Sequence, residues 1–286
     1  MPQVFSDNPR RRDFDLTDPE LARLCADAAA RFSELPLHHR GESAELRSTA
    51  APGILVQRLI PSLNSISRNR KGSIEGTDRL RLDISRVFWA ALHRRQLATC
   101  HLAWHEDHLL VTEERIPPIE VIVKAALIGT PTRIYHGLLQ RTDRHGRDFE
   151  LNERHEPYVR FDYRNPLRSA TGEGLRDECM PLALADRLID TQQAARSALG
   201  VFEVVHSMLA RLQLDVWDAC FLFDETGRTL SYELSPDNMR IKLNGWTEGN
   251  EPRQEFDKDL WRNSANAALL REQWAALRER LERSLA

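Results

Sequence analysis

The chain has 286 residues, 41% hydrophobic and 29% charged, with a formal net charge of -3. That is the profile of a soluble globular chain long enough for one large or two modest domains. It lacks the basic excess that gathers nucleic acid or anionic lipid, and no apolar run approaches the roughly 20 residues that span a bilayer.

Cys25, Cys100, Cys179 and Cys220 form no C-x-x-C pair, so neither a zinc ribbon nor a dithiol redox centre is expected, and scattered thiols fit a reducing cytoplasm. Arg10-Arg11-Arg12 is not followed by an apolar h-region, and the acids Asp13, Asp15, Asp18 and Glu20 argue against a mitochondrial transit peptide.

Residues 1–35 read as a polar N-terminal extension with one helix over 18–32, where Leu21, Leu24, Cys25, Ala28 and Phe32 recur at helical spacing. Thr17 or Asp18 would cap it, with Pro19 in the first turn. Residues 36–115 predict a small mixed lobe, with strands over 54–60, 100–104 and 109–113 around a helix over 83–95. The segment 68–78, rich in Arg, Lys, Gly and Ser, predicts an exposed loop.

Residues 116–286 predict a larger lobe. It opens with the break Pro117-Pro118 and a buried strand over 119–124, followed by a polar excursion over 142–176. A helix over 182–212 follows, with Leu188, Leu199, Phe202, Leu209 and Leu212 as its inward face. Strands over 216–223 and 229–234 flank the turn Asp224-Glu225-Thr226-Gly227, and a last helix over 266–285 places Leu270, Trp274, Leu277 and Leu281 on one side. A helix-poor front and a hairpin-bearing back indicate an α+β fold.

Three ordered segments carry the chemistry: Pro118-Ile119-Glu120-Val121-Ile122-Val123-Lys124 with Gly129-Thr130, then Glu233-Leu234-Ser235-Pro236-Asp237-Asn238-Met239-Arg240, then Asp257-Lys258-Asp259-Leu260-Trp261-Arg262. Together they resemble SAICAR synthetase, the phosphoribosylaminoimidazole-succinocarboxamide synthase family, as a divergent member. The resemblance covers about residues 37–262 and implies a two-lobed α+β fold with antiparallel sheets and a cleft between lobes. It also implies a ligase that joins an amino acid to a carboxylated aminoimidazole ribotide, in a specialised pathway or in purine synthesis. A carboxylate is a poor acyl donor, so ATP with Mg²⁺ would first convert it to an acyl phosphate.

Carried over residue by residue, the resemblance puts Lys124 at the family's arginine position and Thr130 at its serine, while Asp237 and Arg240 match; these four would bind the phosphorylated substrate. Lysine offers a point charge where arginine offers a fork. Asp218 and Glu233 are the catalytic candidates.

The nucleotide side departs from the family. Its Gly-Lys-Ala-Lys loop falls on Arg40-Gly41-Glu42-Ser43-Ala44, a lysine becomes Cys220, and the two metal-binding carboxylates become Leu222 and Tyr232. Mg²⁺ takes hard oxygen ligands that leucine lacks, so ATP and Mg²⁺ binding is expected to be weak or lost, with no metal ligands assigned. The alternative reading is a pseudoenzyme or ATP-independent relative that keeps the ribotide pocket. The expected partner is a small phosphorylated molecule, not nucleic acid or membrane, and homo-oligomerisation is left open.

His101, His105 and His108 with Glu106 and Asp107 lack the H-E-x-x-H order of a helical metal site. Gly172-Glu173-Gly174 reads as a plain turn, Arg68-Asn69-Arg70-Lys71 as a solvated loop, and Cys220 as a buried thiol.

Overall fold

The computed structural model describes residues 18–65, 70–129, 137–172, 174–246, 254–264 and 266–284. Thr130, Arg68, Asn69 and Glu173 lie outside the described residues, as does the stretch 1–17.

Helix α1 (Pro19–Ala30) begins on Asp18, whose side chain accepts from the Glu20 amide at 2.8 Å, with Pro19 in the first turn. Strands β1 (Leu37–Arg40) and β2 (Ala44–Ser48) form a hairpin closed by the Gly41 amide donating to the Ala44 carbonyl at 2.9 Å. β3 (Ile54–Leu59) precedes a small hairpin of β4 (Ser62–Ser65) and β5 (Arg70–Ser73). Then come α2 (Thr77–Arg94), β6 (His101–His105), β7 (His108–Thr112), β8 (Ile119–Ala126), β9 (Arg154–Tyr163) and β10 (Glu178–Cys179). The chain continues through α3 (Leu182–Ala185), α4 (Thr191–Ala210), β11 (Leu214–Phe221), β12 (Met239–Leu243), α5 (Asp259–Ser264) and α6 (Ala267–Arg283).

The strands build a five-stranded sheet in the order β1-β2-β3-β7-β6, antiparallel in its β1–β2, β3–β7 and β7–β6 pairs, and another in the order β10-β9-β8-β11-β12, antiparallel throughout. Helices lie beside antiparallel sheets rather than crossing between parallel strands, which is the α+β class.

The chain divides into two compact units, one running to Arg58 with His101–Glu113, the other comprising Leu59–Cys100 with Glu114 onward. In the first, α1 buries Leu21 and Cys25 against Leu102, Ala103 and Leu110, while Ala28 and Phe32 meet Val56. In the second, α4 packs on β8, β9 and β11. Residues 59–100 join this unit because Leu63 and Ile74 share a core with Leu260, Trp261, Leu270 and Trp274.

Alternation along the second sheet separates two faces. Ile119, Val121 and Val123 on β8, Phe161 on β9, and Ala219 and Phe221 on β11 are all buried, matching the Ala194, Ala198, Val201 and Val205 surface of α4. The other face carries Glu120, Ile122 and Lys124 on β8, Arg160 and Asp162 on β9, Asp218 and Cys220 on β11, and Arg240 on β12. This polar face is where the site forms.

Four local readings change. The expected helix over 182–212 splits, because Asp190 accepts from the Gln193 amide at 2.9 Å as the N-cap of α4 and Asp186 takes the Thr191 hydroxyl at 2.7 Å. Leu188 and Leu199 consequently face outward, and small residues fill the contact with the sheet. The strand expected over 229–234 reduces to isolated bridges of Leu230 to Thr99 and Phe223. Helix α2 starts at Thr77, well over a turn before the expected 83, since its core position at Arg81 is polar. Strand β9 lies inside the polar excursion, its pattern masked by Pro157, which sits at the register shift where no ladder donor is needed.

Candidate functional site

Asp218 is the centre of the polar face. It lies in the middle of β11, directly opposite Lys124 on β8 and Arg240 on β12. Lys124 Nζ donates to Asp218 Oδ2 at 2.6 Å and to the Ile128 carbonyl at 2.6 Å, and Arg240 Nη1 donates to the same Asp218 oxygen. Cross-strand pairing of opposite charges thus turns three separated sequence positions into one cluster. Lys124 and Asp218 are buried, whereas the Arg240 side chain keeps 18% of its surface exposed.

Burial works against the Asp218 carboxylate, but Arg240 and then Lys124 override it and hold it down at about 2. Burial moves the Lys124 ammonium the other way from its ordinary range, down to about 8, with Asp218 opposing that shift. At neutral pH both members are ionised.

The two later motifs clasp this cluster. Arg240 Nε donates to Asp259 Oδ2 at 2.9 Å, and Arg262 Nη1 donates to Asp259 Oδ1 at 2.9 Å. Asp257 takes the Ile241 amide at 2.9 Å and the Asp259 amide at 2.8 Å, and Lys242 reaches it at 3.0 Å and also pairs with Glu255. Asp237 pairs with Lys258 at 2.9 Å, and its amide donates to the Ser235 hydroxyl at 3.2 Å. The Asn238 side chain donates to the Glu233 carbonyl at 2.6 Å and the Cys220 carbonyl at 3.1 Å, tying the loop back to β11.

Of the sequence-derived binding residues, Lys124 and Arg240 converge on Asp218, while Asp237 lies on the adjoining Lys258 branch. Lys258, Asp259 and Arg262 join them, and their signal was the Asp-Lys-Asp motif itself. Lys242 and Arg81 had no signal, because a polar residue at an apolar-periodic position reads as a break.

Glu233 is gripped by Arg81, whose Nε and Nη2 donate to its carboxylate at 3.0 and 2.9 Å, and it also accepts the Ser235 hydroxyl at 3.1 Å. Arg81 is fully buried and uses Nη1 on the Ile60 carbonyl at 2.9 Å. Leu222 is buried hydrocarbon. Tyr232 is a half-buried phenol whose proton is held by burial and then by the neighbouring Glu233 and Asp237. A leucine and a protonated phenol supply no carboxylate, and Glu233 already serves Arg81, so these residues do not fit the magnesium that the resemblance implies.

Among the described residues, no group of three or more His, Cys, Asp and Glu is placed to hold a metal ion. The histidines at 101, 105 and 108 belong to the β6–β7 hairpin, and burial pushes His101 down to about 3. Burial, followed by Glu120, pushes the Cys220 thiol well up, which makes it a poor nucleophile. No helix among the described residues is long and apolar enough to cross a membrane.

A family model described as SAICAR synthetase matches residues 40–278. A Cordyceps militaris protein named bifunctional cordycepin biosynthesis cluster protein 3 is 26% identical over 89% of this chain, and the chain spans about a third (34%) of that protein's length. The solved phosphoribosylaminoimidazole-succinocarboxamide synthase from Ehrlichia chaffeensis is 18% identical, with a TM-score of 0.68 over 86% of this chain and 98% of its own. A type-2 SAICAR synthetase in complex with ADP is 20% identical, with a TM-score of 0.67 over 85% of this chain and 96% of its own. These solved structures share the fold. The family match runs through all three segments joined around Asp218, and so this chain belongs to the SAICAR synthetase family, whose members are carbon–nitrogen ligases.

Proposed function

We propose that this chain binds an aminoimidazole ribotide or a related phosphorylated carboxylate, and serves as an amide-forming ligase of the SAICAR synthetase type in a specialised cytoplasmic pathway. The observation that carries the reading is the convergence of Lys124 and Arg240 on Asp218. A buried carboxylate that fixes two cations side by side holds them ready for a phosphate, and a pre-organised guanidinium loses little freedom on binding one. Thr130 is the hydroxyl that the resemblance assigns to the same phosphate, and Asp237 would accept from the ribose. Asp218 and Glu233 act by position, the first aligning the cations and the second anchoring the loop that delivers Arg240.

The specialised pathway draws on the relative named for cordycepin biosynthesis. A second reading, binding of the same ribotide without Mg-ATP, is favoured by Leu222, Tyr232 and the Arg81-bound Glu233.

Calorimetry with carboxyaminoimidazole ribotide tests the pocket. A charge-assisted hydrogen bond contributes about 1.5 to 3 kcal/mol, so Arg240→Ala is expected to weaken binding by about one to two powers of ten while circular dichroism shows the fold retained. Equal affinity in the variant, or no binding by either protein, overturns the assignment.

A further inference from the structure

Four residues from Lys124 on the same face of β8 stands Glu120, and its direct cross-strand neighbour on β9 is Asp162. Glu120 is about a quarter exposed (27%) and lies 4.0 Å from Arg164. Asp162 is 1% exposed; its Oδ2 accepts from Arg160 at 2.7 Å, and its Oδ1 is buried without a hydrogen-bond partner. An acceptor removed from water and left unmatched is costly, and a donor reaching it recovers that cost. Next to this pair, on β11, Cys220 puts a neutral thiol where the family resemblance has a lysine. Between the acidic pair and the Lys124 cluster, half-exposed Ile122 forms an apolar floor.

We propose that Glu120 and Asp162 form a second subsite that takes the N–H donor end, an exocyclic amino group or protonated ring nitrogen, of the phosphorylated ligand whose other end meets Lys124 and Arg240. The inference rests on the phosphate-end reading above and adds what the far end recognises. Four residues of strand extend about 13 Å, and the lysine and glutamate side chains close part of that span, leaving room for a ribose phosphate with a heterocycle. The flanking Arg160 and Arg164 favour a neutral or singly charged donor over a metal dication.

Calorimetry on the full chain with two probes separates the ends, because ribose 5-phosphate has the phosphate but no nitrogen donors, whereas aminoimidazole ribotide has both. Asp162→Asn keeps an oxygen for Arg160 and turns the unmatched position into a donor. Its expected effect is a loss of about tenfold for aminoimidazole ribotide with ribose 5-phosphate unchanged. Glu120→Gln is expected to give the same split, and it carries the test if Asp162→Asn melts early. Loss of Arg240 weakens both probes. If the isosteric variants leave both affinities unchanged, or lower both equally, the amine subsite is wrong while the phosphate end stands; if the parent binds neither probe, both readings fall.

Discussion

Lys124 carries two constraints that pull against each other. Burial disfavours its ammonium, and Asp218 at 2.6 Å favours it, with the balance leaving it at about 8. A phosphate site that uses this charge is therefore at full strength below that value and weakens as pH rises through it, because deprotonation removes one of the two cations. We expect ribotide affinity to fall on the alkaline side of pH 8. Lys124→Arg, which stays charged, is expected to flatten that limb, and calorimetry between pH 6.5 and 9.5 checks both profiles. An alkaline fall of the same size in both proteins would assign it to another group. The same ion pair acts on stability at the opposite end of the scale. Asp218 is held below the ordinary carboxylate range, so its contribution is fully present at neutral pH and is lost as pH falls through about 4 towards 2.

At the scale of elements, the turn between β11 and the Ser235 loop aligns much of the site. Asp224 accepts from the Arg228 and Thr229 amides at 2.9 Å and from the Thr226 hydroxyl at 2.7 Å, and Gly227 completes the turn at φ +69°. A Cβ at Gly227 would stand 2.5 Å from the Ala194 amide and 2.7 Å from the Asp190 carbonyl. Gly227→Ala is accordingly expected to lose more than about 1 kcal/mol through strain and displacement of the α4 N-terminus, read as a lowered melting temperature; unchanged melting would show that α4 shifts freely. This turn was legible in the sequence because its residue types dictate its geometry. So were the buried strand β8 and the apolar stripe of α6, which answer to periodicity alone. Strand β9 and the start of α2 were not legible. Arg154–Tyr163 is polar because its outward side chains belong to the site face, and Arg81 occupies a core position where its charge is met by Glu233, 152 residues away. The same holds within the site: Lys124 and Arg240 could be read from motif spacing, whereas the roles of Lys242 and Arg81 exist only once distant segments meet.

At the scale of the whole chain, the substitutions are not scattered. On the reading proposed above, the ribotide positions Lys124, Asp237 and Arg240 carry charge; Lys124 and Arg240 meet on Asp218, and Arg240 and Asp237 are joined through Asp259 and Lys258 to the third motif. On the same reading, the positions that the resemblance assigns to Mg-ATP carry Glu42, Cys220, Leu222 and Tyr232, a set without the lysines and carboxylates that the resemblance implies there. Loss at one such position could be compensated by a neighbour, but the candidate neighbour, Glu233, is already bound by Arg81 at 3.0 and 2.9 Å. Freeing it would take from a fully buried guanidinium the carboxylate that faces it, at about 3 to 5 kcal/mol. Two outcomes follow for the molecule as a whole. Calorimetry is expected to find Mg-ATP binding far weaker than ribotide binding, and the gene is expected not to restore purine-independent growth to a bacterium lacking its SAICAR synthetase. Micromolar Mg-ATP affinity would mean that other residues hold the nucleotide, and the ATP-independent reading would fall in favour of the ligase; robust growth of the complemented strain, with the protein shown to be expressed, would replace the specialised role by the ordinary ligase reaction.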